Sequence, residues 1–481
     1  MNYLKMRKLG RIRDEPYSEI NGLDPSFFEL NRKNYLHNLK IRFANLKINS
    51  IIVFQGGNLV PRYDTDTNYY YFDQESNFYY LTGVRLPGMK FILDVRSQEG
   101  FLFYQKKPNE CRVWCTLPTK EEIEKKYKIK TYYMSEFYDF IQKRNMETIY
   151  LLEGINPNSG TPVTTAHLDF IGELSYLNEK ISHDQFIYMV LCDTRSMKTE
   201  KEKDLLKYIA KISNEAHLEV MKAIRPGLNE RDIENVFCQY LKNKYYMRFL
   251  DYNCVCISGP NTAVLHYDVN NRTMLDGDLF LGDLGIRLLG YASDITITIP
   301  VSGKFSKKQK EIYDIVLKAN RTVISSIIPN ETTIRQVNKL SKTIILDGLQ
   351  KIGIIKSGMN IDETYKAGLA DIFMPHSLGH FVGLDVHDVG DNVTYKSQKF
   401  FENGTFFTVE RGIYFIDFLI DKLENEQNLV KYINVDKLEE FRGFGGVRIE
   451  DDILVYEDHV ESLQQGLPRS TEEIEAFMKG I

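Results

Sequence analysis

Cysteine, tryptophan and long apolar runs are scarce in this sequence, and the first and last of these scarcities exclude whole classes of protein. Six cysteines in 481 residues (Cys111, Cys115, Cys192, Cys238, Cys254 and Cys256) are too few for the framework of a disulfide-stapled fold. None forms the C-x-x-C unit typical of structural zinc; they read as free thiols of a reduced, cytoplasmic protein. No apolar run approaches the roughly 20 residues that span a bilayer, so no membrane partner is expected. An excess of one charge is also missing. Lys plus Arg number 61 and Asp plus Glu 66, leaving a net charge of −5, with no electrostatic footprint for nucleic acid or an anionic membrane. The opening MNYLKMRKLGRIRDEP is basic, but no apolar block follows it, which argues against a secretory signal, and Asp14 and Glu15 argue against a transit peptide. There is no G-x-S-x-G elbow, phosphate loop or H-E-x-x-H helix. The cluster RGFGGVRIE lacks the third glycine of a dinucleotide fingerprint and precedes a strand-like run rather than a helix.

What is present describes a soluble globular chain. Hydrophobic residues make up 43% and charged residues 26%, which excludes disorder, and a prior of about 150 residues per domain suggests two to four domains. After an irregular start, helical spacing runs from about Phe27 to Lys47. NSIIVFQGG then reads as a buried strand, and KFILDV, GFLFY, KEEIEKKY and TIYLLEG continue an α/β alternation. The polar stretch CDTRSMKTEKEKD marks a boundary, giving an N-terminal α/β domain over residues 1–192 and a second domain over 193–481. In the second, helices are expected over about Glu200–Ile224 and Glu230–Tyr245, then Lys307–Ile328 and Thr332–Ile352. They are grouped between strand blocks NCVCIS, DLFLGDLG, YASDITITI, TFFTVE and GVRIEDDILVY, an α+β pattern.

The chemistry-bearing residues lie in this second domain. DLFLGDLGIRLLGYASDITITI reads as a hairpin in which Asp283 and Asp294, symmetric about Leu288-Leu289, lie opposite one another, with Gly282 and Gly285 leaving room for close backbone approach. Opposed carboxylates on a sheet repel; a shared cation relieves this, and the bland alternative is that one aspartate faces solvent. Glu410 in FFTVERGIYF and Glu450 in GGVRIEDDILV sit in buried-looking runs, where a carboxylate needs a partner, a metal or an arginine such as Arg448 or Arg411. His266, His376, His380 and His387 are four of the nine histidines, and MPHSLGHFVGLDVHDVG holds three of them.

The ordered set D-(x10)-D, P-H-x-L-G-H-x-x-G-x-D-V-H-D-V-G, V-E-x-G and R-G-F-G-G-V-R-I-E-D resembles the proline-directed metallopeptidases of the creatinase-like pita-bread family. Within it the pattern is most similar to the prolidases (Xaa-Pro dipeptidases), with the Xaa-Pro aminopeptidases as neighbours. VFQGG, RYDTDT, DQESNF and CISGPNTAVLHY extend the likeness over about residues 27–475, and YLTGVRLPG is shared with the aminopeptidases. The resemblance implies an α/β N-terminal domain and an α+β pita-bread catalytic domain. It implies a homodimer acting on small peptides with proline after the scissile bond, and two divalent metal ions per subunit. Asp283 matches the ligand of the first metal, Asp294 and Glu450 the bridging carboxylates, and His380 and Glu410 the ligands of the second. His376 and His387 are implied to act on the substrate carbonyl or oxyanion, Glu410 to shuttle a proton, and His266 and Arg448 to contact substrate.

A shell of four carboxylates and one imidazole is hard and suits Mn²⁺, with Zn²⁺ or Co²⁺ as substitutes. Its charge balances two divalent cations and tolerates the bridging hydroxide that the resemblance implies as nucleophile. Proline lacks an N–H and fixes the local backbone, which is why its peptide bond needs dedicated enzymes. Two positions depart from the prolidase pattern: Ser377 stands for glycine and Arg411 for proline. The segment Asp391–Thr408 is also shorter than in prolidases and lacks the arginine that grips the substrate carboxylate there; Lys396 and Lys399 are its only cations. Dipeptidase and aminopeptidase specificity therefore both remain open, dipeptidase leading. A non-catalytic pita-bread module, or a metal-independent creatinase-type hydrolase, would have lost ligands that this chain keeps.

Overall fold

The computed structural model describes residues 16–19, 21–68, 71–163, 175–390 and 399–480. The run SIIVFQ forms strand β1 (Ser50–Gln55), followed by β2 (Lys90–Asp94), β3 (Gly100–Tyr104), β4 (Lys130–Tyr133) and β5 (Thr148–Leu151). A two-stranded ribbon of β6 (Gly154–Ile155) and β7 (Pro162–Val163) precedes β8 (Ile181–Ser182). The sheet order is β4-β3-β2-β1-β5-β8, with β1–β2 and β2–β3 antiparallel and the other pairs parallel. One core gathers Ile51, Val53, Ile92, Phe101, Phe103, Ile149 and Leu151 against Phe137 and Ile141 of helix Phe137–Arg144.

Helix Pro25–Arg42 is capped by Asp24, whose carboxylate accepts from the Ser26 N–H. It stops before the expected Lys47 because Phe43 leaves the helical conformation, with its ring 5.2 Å from Phe186 and 6.0 Å from Tyr150.

The chain divides into two compact units. The first comprises Leu23–Ser196, and the second is built on Met197–Asp388 and the C-terminal stretch; the described residues before Leu23 group with the second. The break falls at Ser196 rather than Cys192 because Phe186–Ser196 is one helix with Ile187, Val190, Leu191 and Cys192 buried. The polar stretch that suggested a linker is the end of this helix followed by the capping box of the next, Thr199 with Glu202, which opens Glu200–Ala223.

In the second unit the helices are Glu200–Ala223, Glu230–Tyr245, Lys307–Ser326 and Ile334–Lys351, close to the expected spans. The strands are β9 (Val255–Ser258), β10 (Leu279–Asp283), β11 (Arg287–Leu288), β12 (Tyr291–Ala292), β13 (Thr296–Pro300), β14 (Phe406–Tyr414), β15 (Gly446–Val455) and β16 (Val460–Ser462). The sheet runs β14-β15-β13-β10-β9, with β16 also on β15. Strand alternation gives it two unlike faces. One face sends Phe407, Val409, Ile453 and Val455 into a core with Val323 of helix Lys307–Ser326 and Ile327, which ends that helix. The other carries Asp283, Thr296, Thr298, Arg448, Glu450, Asp452 and Glu410. No helix among the described residues is long and apolar enough to cross a membrane.

The hairpin register differs from the sequence expectation. Asp283 pairs with Thr296, and the ladder continues through Leu284–Ile295 and Ile286–Ser293 to Leu288–Tyr291. Leu289 (φ +54°) and Gly290 (φ +89°) are the turn, matching the two-residue hairpin with positive φ at both central positions. Each residue's partner therefore moves by two, which keeps the face. Asp294 is thus a diagonal, same-face neighbour of Asp283, not its direct partner.

Candidate metal centre

Register places the acids in a row. Glu410 on β14 pairs directly with Glu450 on β15, Glu450 with Thr296 on β13, and Thr296 with Asp283 on β10. The like-charged pair that faces itself squarely is therefore Glu410–Glu450. Asp294 joins from the same face through Tyr252, whose hydroxyl lies 2.6 Å from an Asp283 carboxylate oxygen and 2.5 Å from one of Asp294. Gly285 permits this: a Cβ there would lie 2.4 Å from the Tyr252 ring.

His380 arrives on a loop laid along β14. The Glu410 N–H donates to the Leu378 carbonyl (3.0 Å), the Thr408 N–H to the His380 carbonyl (2.9 Å), and the Val382 N–H to the Phe406 carbonyl (3.2 Å). Leu378 and Phe381 anchor the loop in the core. Gly379 is required because a Cβ would meet the Thr408 carbonyl at 2.1 Å. His380 Nε2 lies 3.3 Å from Asp294 Oδ2. Donor atoms of Asp294, His380 and Glu450 all lie within 4.8 Å of one another. Asp283 and Glu410 flank this trio at opposite ends of the row, and Arg448 reaches towards both, 2.8 Å from Asp283 and 3.7 Å from Glu410.

The electrostatics fit a centre that needs cations. Burial, with the charges of Asp294, Glu410 and Asp283, pushes the Glu450 carboxyl well above its ordinary range. Burial and Asp283 push Asp294 up to about 6. Burial disfavours the charged His380 ring, but the Asp294 hydrogen bond and charge carry it up to about 9. Burial also opposes ionisation of Glu410, yet His376, Arg448 and His380 hold it below its usual range. Buried carboxylates this close cannot all ionise without compensating positive charge. Without a metal, protons supply it; a pair of divalent cations supplies it better, and the donor set, oxygen-rich with one imidazole, has the chemistry for them.

The remaining expected residues fall around this row. His376 is held in a relay: Arg448 donates to the Tyr414 hydroxyl (3.3 Å), that hydroxyl is 3.0 Å from His376 Nε2, and His376 Nδ1 is 3.0 Å from the Ser377 carbonyl. Burial keeps the His376 ring below its normal pKa, aided by Arg411 and Arg448. The His387 ring centroid is 4.2 Å from that of His380; burial, then His380, holds its pKa down to about 4. The neighbouring Asp388 is fixed by a buried ion pair with Lys198 at 2.9 Å. Arg448 is only 2% exposed and lies beneath the acids. His266 is exposed and makes no hydrogen bond to the acids among the described residues. The two departures from the prolidase pattern touch: the fully buried Arg411 donates to the Ser377 carbonyl at 3.1 Å, and also to Ser341 Oγ at 3.1 Å. Lys396 lies outside the described residues; Lys399 sits 5.0 Å over the Phe381 ring.

Residues 204–457 match the model of metallopeptidase family M24, and residues 28–150 match the aminopeptidase P N-terminal domain. The chain belongs to family M24. It is a metal-dependent peptidase, and its fold is the pita-bread fold with an added N-terminal domain. It is 37% identical to the Xaa-Pro dipeptidase of Rattus norvegicus and 36% to that of Homo sapiens, over 95% of this chain and 94% of each relative. It is 33% identical to a probable Xaa-Pro aminopeptidase of Verticillium alfalfae, over 85% of this chain and 88% of the relative. Among solved structures, Escherichia coli aminopeptidase P with the inhibitor Pro-Leu superposes with a TM-score of 0.80 at 28% identity, over 95% of this chain and 99% of that one. A zinc-substituted form of the same enzyme in complex with product gives 0.79 at 27%.

Several residues around this row of acids escaped sequence reasoning. Tyr414 and Asp452 were within reach of it, since they lie four residues past Glu410 and two past Glu450, on the same strand faces. Tyr252 precedes its strand in an irregular segment and Arg469 lies near the C-terminus, so no periodicity points to either.

Proposed function

We propose that this chain hydrolyses the peptide bond preceding proline, with free Xaa-Pro dipeptides as its preferred substrates. Its centre would hold two divalent ions, Mn²⁺ by the hardness of the ligands, on Asp283, Asp294, His380, Glu410 and Glu450. The observation that carries this reading is the row Glu410–Glu450–Thr296–Asp283, with Asp294 and His380 closing on Glu450. The preference for dipeptides is supported by the dipeptidases related over nearly the whole chain. A homodimer working in the cytoplasm completes the proposal.

Bound there, the ions would lower the pKa of a water to supply the nucleophile and would polarise the scissile carbonyl. The protein's own residues do the rest. Thr296 donates to Glu450 Oε2 (2.8 Å) and Tyr252 bridges Asp283 and Asp294, fixing which carboxylate oxygens remain free. Glu410, the most accessible of the acids at 21% side-chain exposure, is placed to carry a proton to the departing proline nitrogen. His376, neutral and oriented by Tyr414 and Ser377, is placed beside Glu410 at 3.8 Å to stabilise charge on the carbonyl oxygen.

The test combines a metal count with a substrate panel. Wild type should bind two ions per chain and cleave Xaa-Pro dipeptides, while Asp294→Ala should lose most metal and activity. Full metal retention in that variant would overturn the ligand assignment. The dipeptide should also be compared with its C-terminal amide. One charge-assisted hydrogen bond is worth roughly 1.5–3 kcal/mol, so an enzyme without a carboxylate-gripping arginine should discriminate by about tenfold less to a hundredfold less than one that has it. Equal or better turnover of longer Xaa-Pro peptides would favour the aminopeptidase reading, which the fungal relatives support.

A further inference from the structure

The four acids sit on two antiparallel strand pairs. Asp283 and Asp294 belong to β10–β13, and Glu410 and Glu450 to β14–β15. The seam between these strand pairs is unlike any other in the sheet. β14 and β15 pair continuously from Phe406–Leu454 to Tyr414–Gly446, and β10 and β13 from Leu279–Pro300 to Asp283–Thr296. Between β13 and β15 only Thr296 and Glu450 pair.

On either side of that pair, side chains replace the backbone ladder. At Thr298–Arg448, the Thr298 hydroxyl donates to the Arg448 carbonyl (2.7 Å) and accepts from the Arg448 N–H (3.1 Å). At Asp294–Asp452, the Asp294 N–H donates to the Asp452 carboxylate (3.1 Å). At the pair itself, Arg469 reaches in from the segment before helix Thr471–Lys479. Its Nη1 donates to the Thr296 carbonyl and its Nη2 to the Glu450 carbonyl, both at 2.9 Å, and Nη2 also pairs with Asp451. Arg469 is 7% exposed.

We propose that Arg469 is a positioning residue that sets the distance between the two halves of the metal centre. This rests on the ligand set proposed above. A guanidinium is a rigid, planar fork, so the spacing of its two nitrogens fixes the spacing of two carbonyls. Those carbonyls belong to the opposed residues Thr296 and Glu450. Asp294 lies two residues along from Thr296, and Glu450 is itself a ligand. Relaxing the fork would let the two strand pairs drift apart by a fraction of an ångström, which a soft packing contact tolerates and a dinuclear site does not. Lysine keeps the charge for Asp451 but is a single point donor and cannot span both carbonyls.

The experiment uses the full-length chain stripped of metal, as wild type, Arg469→Lys and Arg469→Met. Mn²⁺ affinity is measured by calorimetry, and Co²⁺ binding by its visible absorption, without substrate. Metal-free Tm and dipeptide turnover at saturating metal are measured alongside. Loss of a group that orients metal ligands typically weakens binding about 10–100-fold. That loss is expected in Arg469→Met, with a smaller one in Arg469→Lys, an altered Co²⁺ spectrum in both, and turnover largely recovered at saturating metal. Wild-type affinity and spectrum in both variants would overturn the proposal, as would a lowered metal-free Tm with unchanged metal affinity, the mark of a purely structural role. If Arg469→Met does not fold, Arg469→Lys and Asp451→Asn, which loosens the same guanidinium, decide the matter by the same readouts. Wild type that binds two ions while the variants match it refutes this proposal alone. Wild type that binds none refutes the metal centre and this proposal with it.

Discussion

In the first unit, strands β1, β2 and β3 bury Ile51, Val53, Ile92, Phe101 and Phe103 in an apolar cluster, and the buried charges of β2, Lys90 and Asp94, stand at the two ends of that strand, Asp94 paired with Arg144. In the second, β15 is buried along its whole length, yet GVRIEDDILV carries Arg448, Glu450, Asp451 and Asp452. Both strands obey the same alternation. The difference lies in what stands opposite the inner face: apolar side chains in one, and other ionisable groups in the other. Apolar burial is stabilising by itself at about 25 cal/mol per Å². Buried acids are costly unless paired, so a strand that keeps them in a row has traded stability for a binding site.

The sharpest way to break this contrast is Glu450→Gln. Removing one acid that contacts both halves of the centre should abolish most metal binding and lower kcat/KM by about 10⁴-fold or more, over 5 kcal/mol. The metal-free protein should nonetheless gain stability. Glu450's carboxyl is raised well above its ordinary range by burial and neighbouring acids. Near neutral pH the unfolded chain therefore holds the ionised form more readily than the folded one, and the residue is destabilising there. That penalty is present above the unfolded pKa of about 4.3 and vanishes below it. Thermal melts of the metal-free variant should show a higher Tm at pH 7 and no gain at pH below about 4.

The matching change in the first unit is Phe103→Ala. Phe103 is fully buried, with Phe137 4.8 Å and Phe140 5.2 Å away by ring centroids. Its removal should cost about 3–5 kcal/mol, read as loss of hydrogen-exchange protection in β1, β2 and β3. Metal bound per folded second unit should stay at the wild-type value.

The two sheets were also unequally legible. Apolar runs such as KFILD and GFLFY mark strands directly, because the hydrophobic signal and the burial coincide. Asp283, Asp294, His380, Glu410 and Glu450 were found through the family's motif order, and the structure gathers them on one face of one sheet. Their pairing was not legible. The Asp283–Asp294 opposition assumed a turn at Leu288-Leu289, whereas positive φ at Leu289 and Gly290 sets the turn one residue later. The truly opposed acids, Glu410 and Glu450, lie far apart in sequence, and only the β14–β15 register joins them. The polar stretch Cys192–Asp204, read as a boundary, contains the division at Ser196, but helix-terminal and capping residues are as polar as a linker and do not mark its exact place.

His376→Ala tests the proposal that this residue serves the site without belonging to its metal shell. It should retain both ions, because its ring bonds Tyr414 and Ser377 and stays 3.8 Å from Glu410. Turnover should fall by the worth of oxyanion-type stabilisation, about 3–4 kcal/mol. Loss of metal in His376→Ala, with retention in His380→Ala, would exchange the roles of the two histidines.

The smallest effect expected sharpens the comparison from the first unit's side. Lys128 ends helix Lys120–Tyr127 in the left-handed region at φ +56° and is exposed, and Asn145 ends helix Phe137–Arg144 at φ +44°. A Cβ-bearing residue pays about 1–2 kcal/mol for that conformation, partly offset in the unfolded state when glycine replaces it. Lys128→Gly should therefore stabilise the first unit by up to about 1 kcal/mol, a Tm rise of about 2–4 °C for a unit of this size. Asn145→Gly should yield only a few tenths, since asparagine tolerates the left-handed region. Neither change should alter the Mn²⁺ isotherm. Neither residue belongs to the row of acids, so relieving this strain should register in the melting curve alone; a shift in metal affinity from either variant would mean that the two sheets are energetically linked and that the contrast between them is too simple.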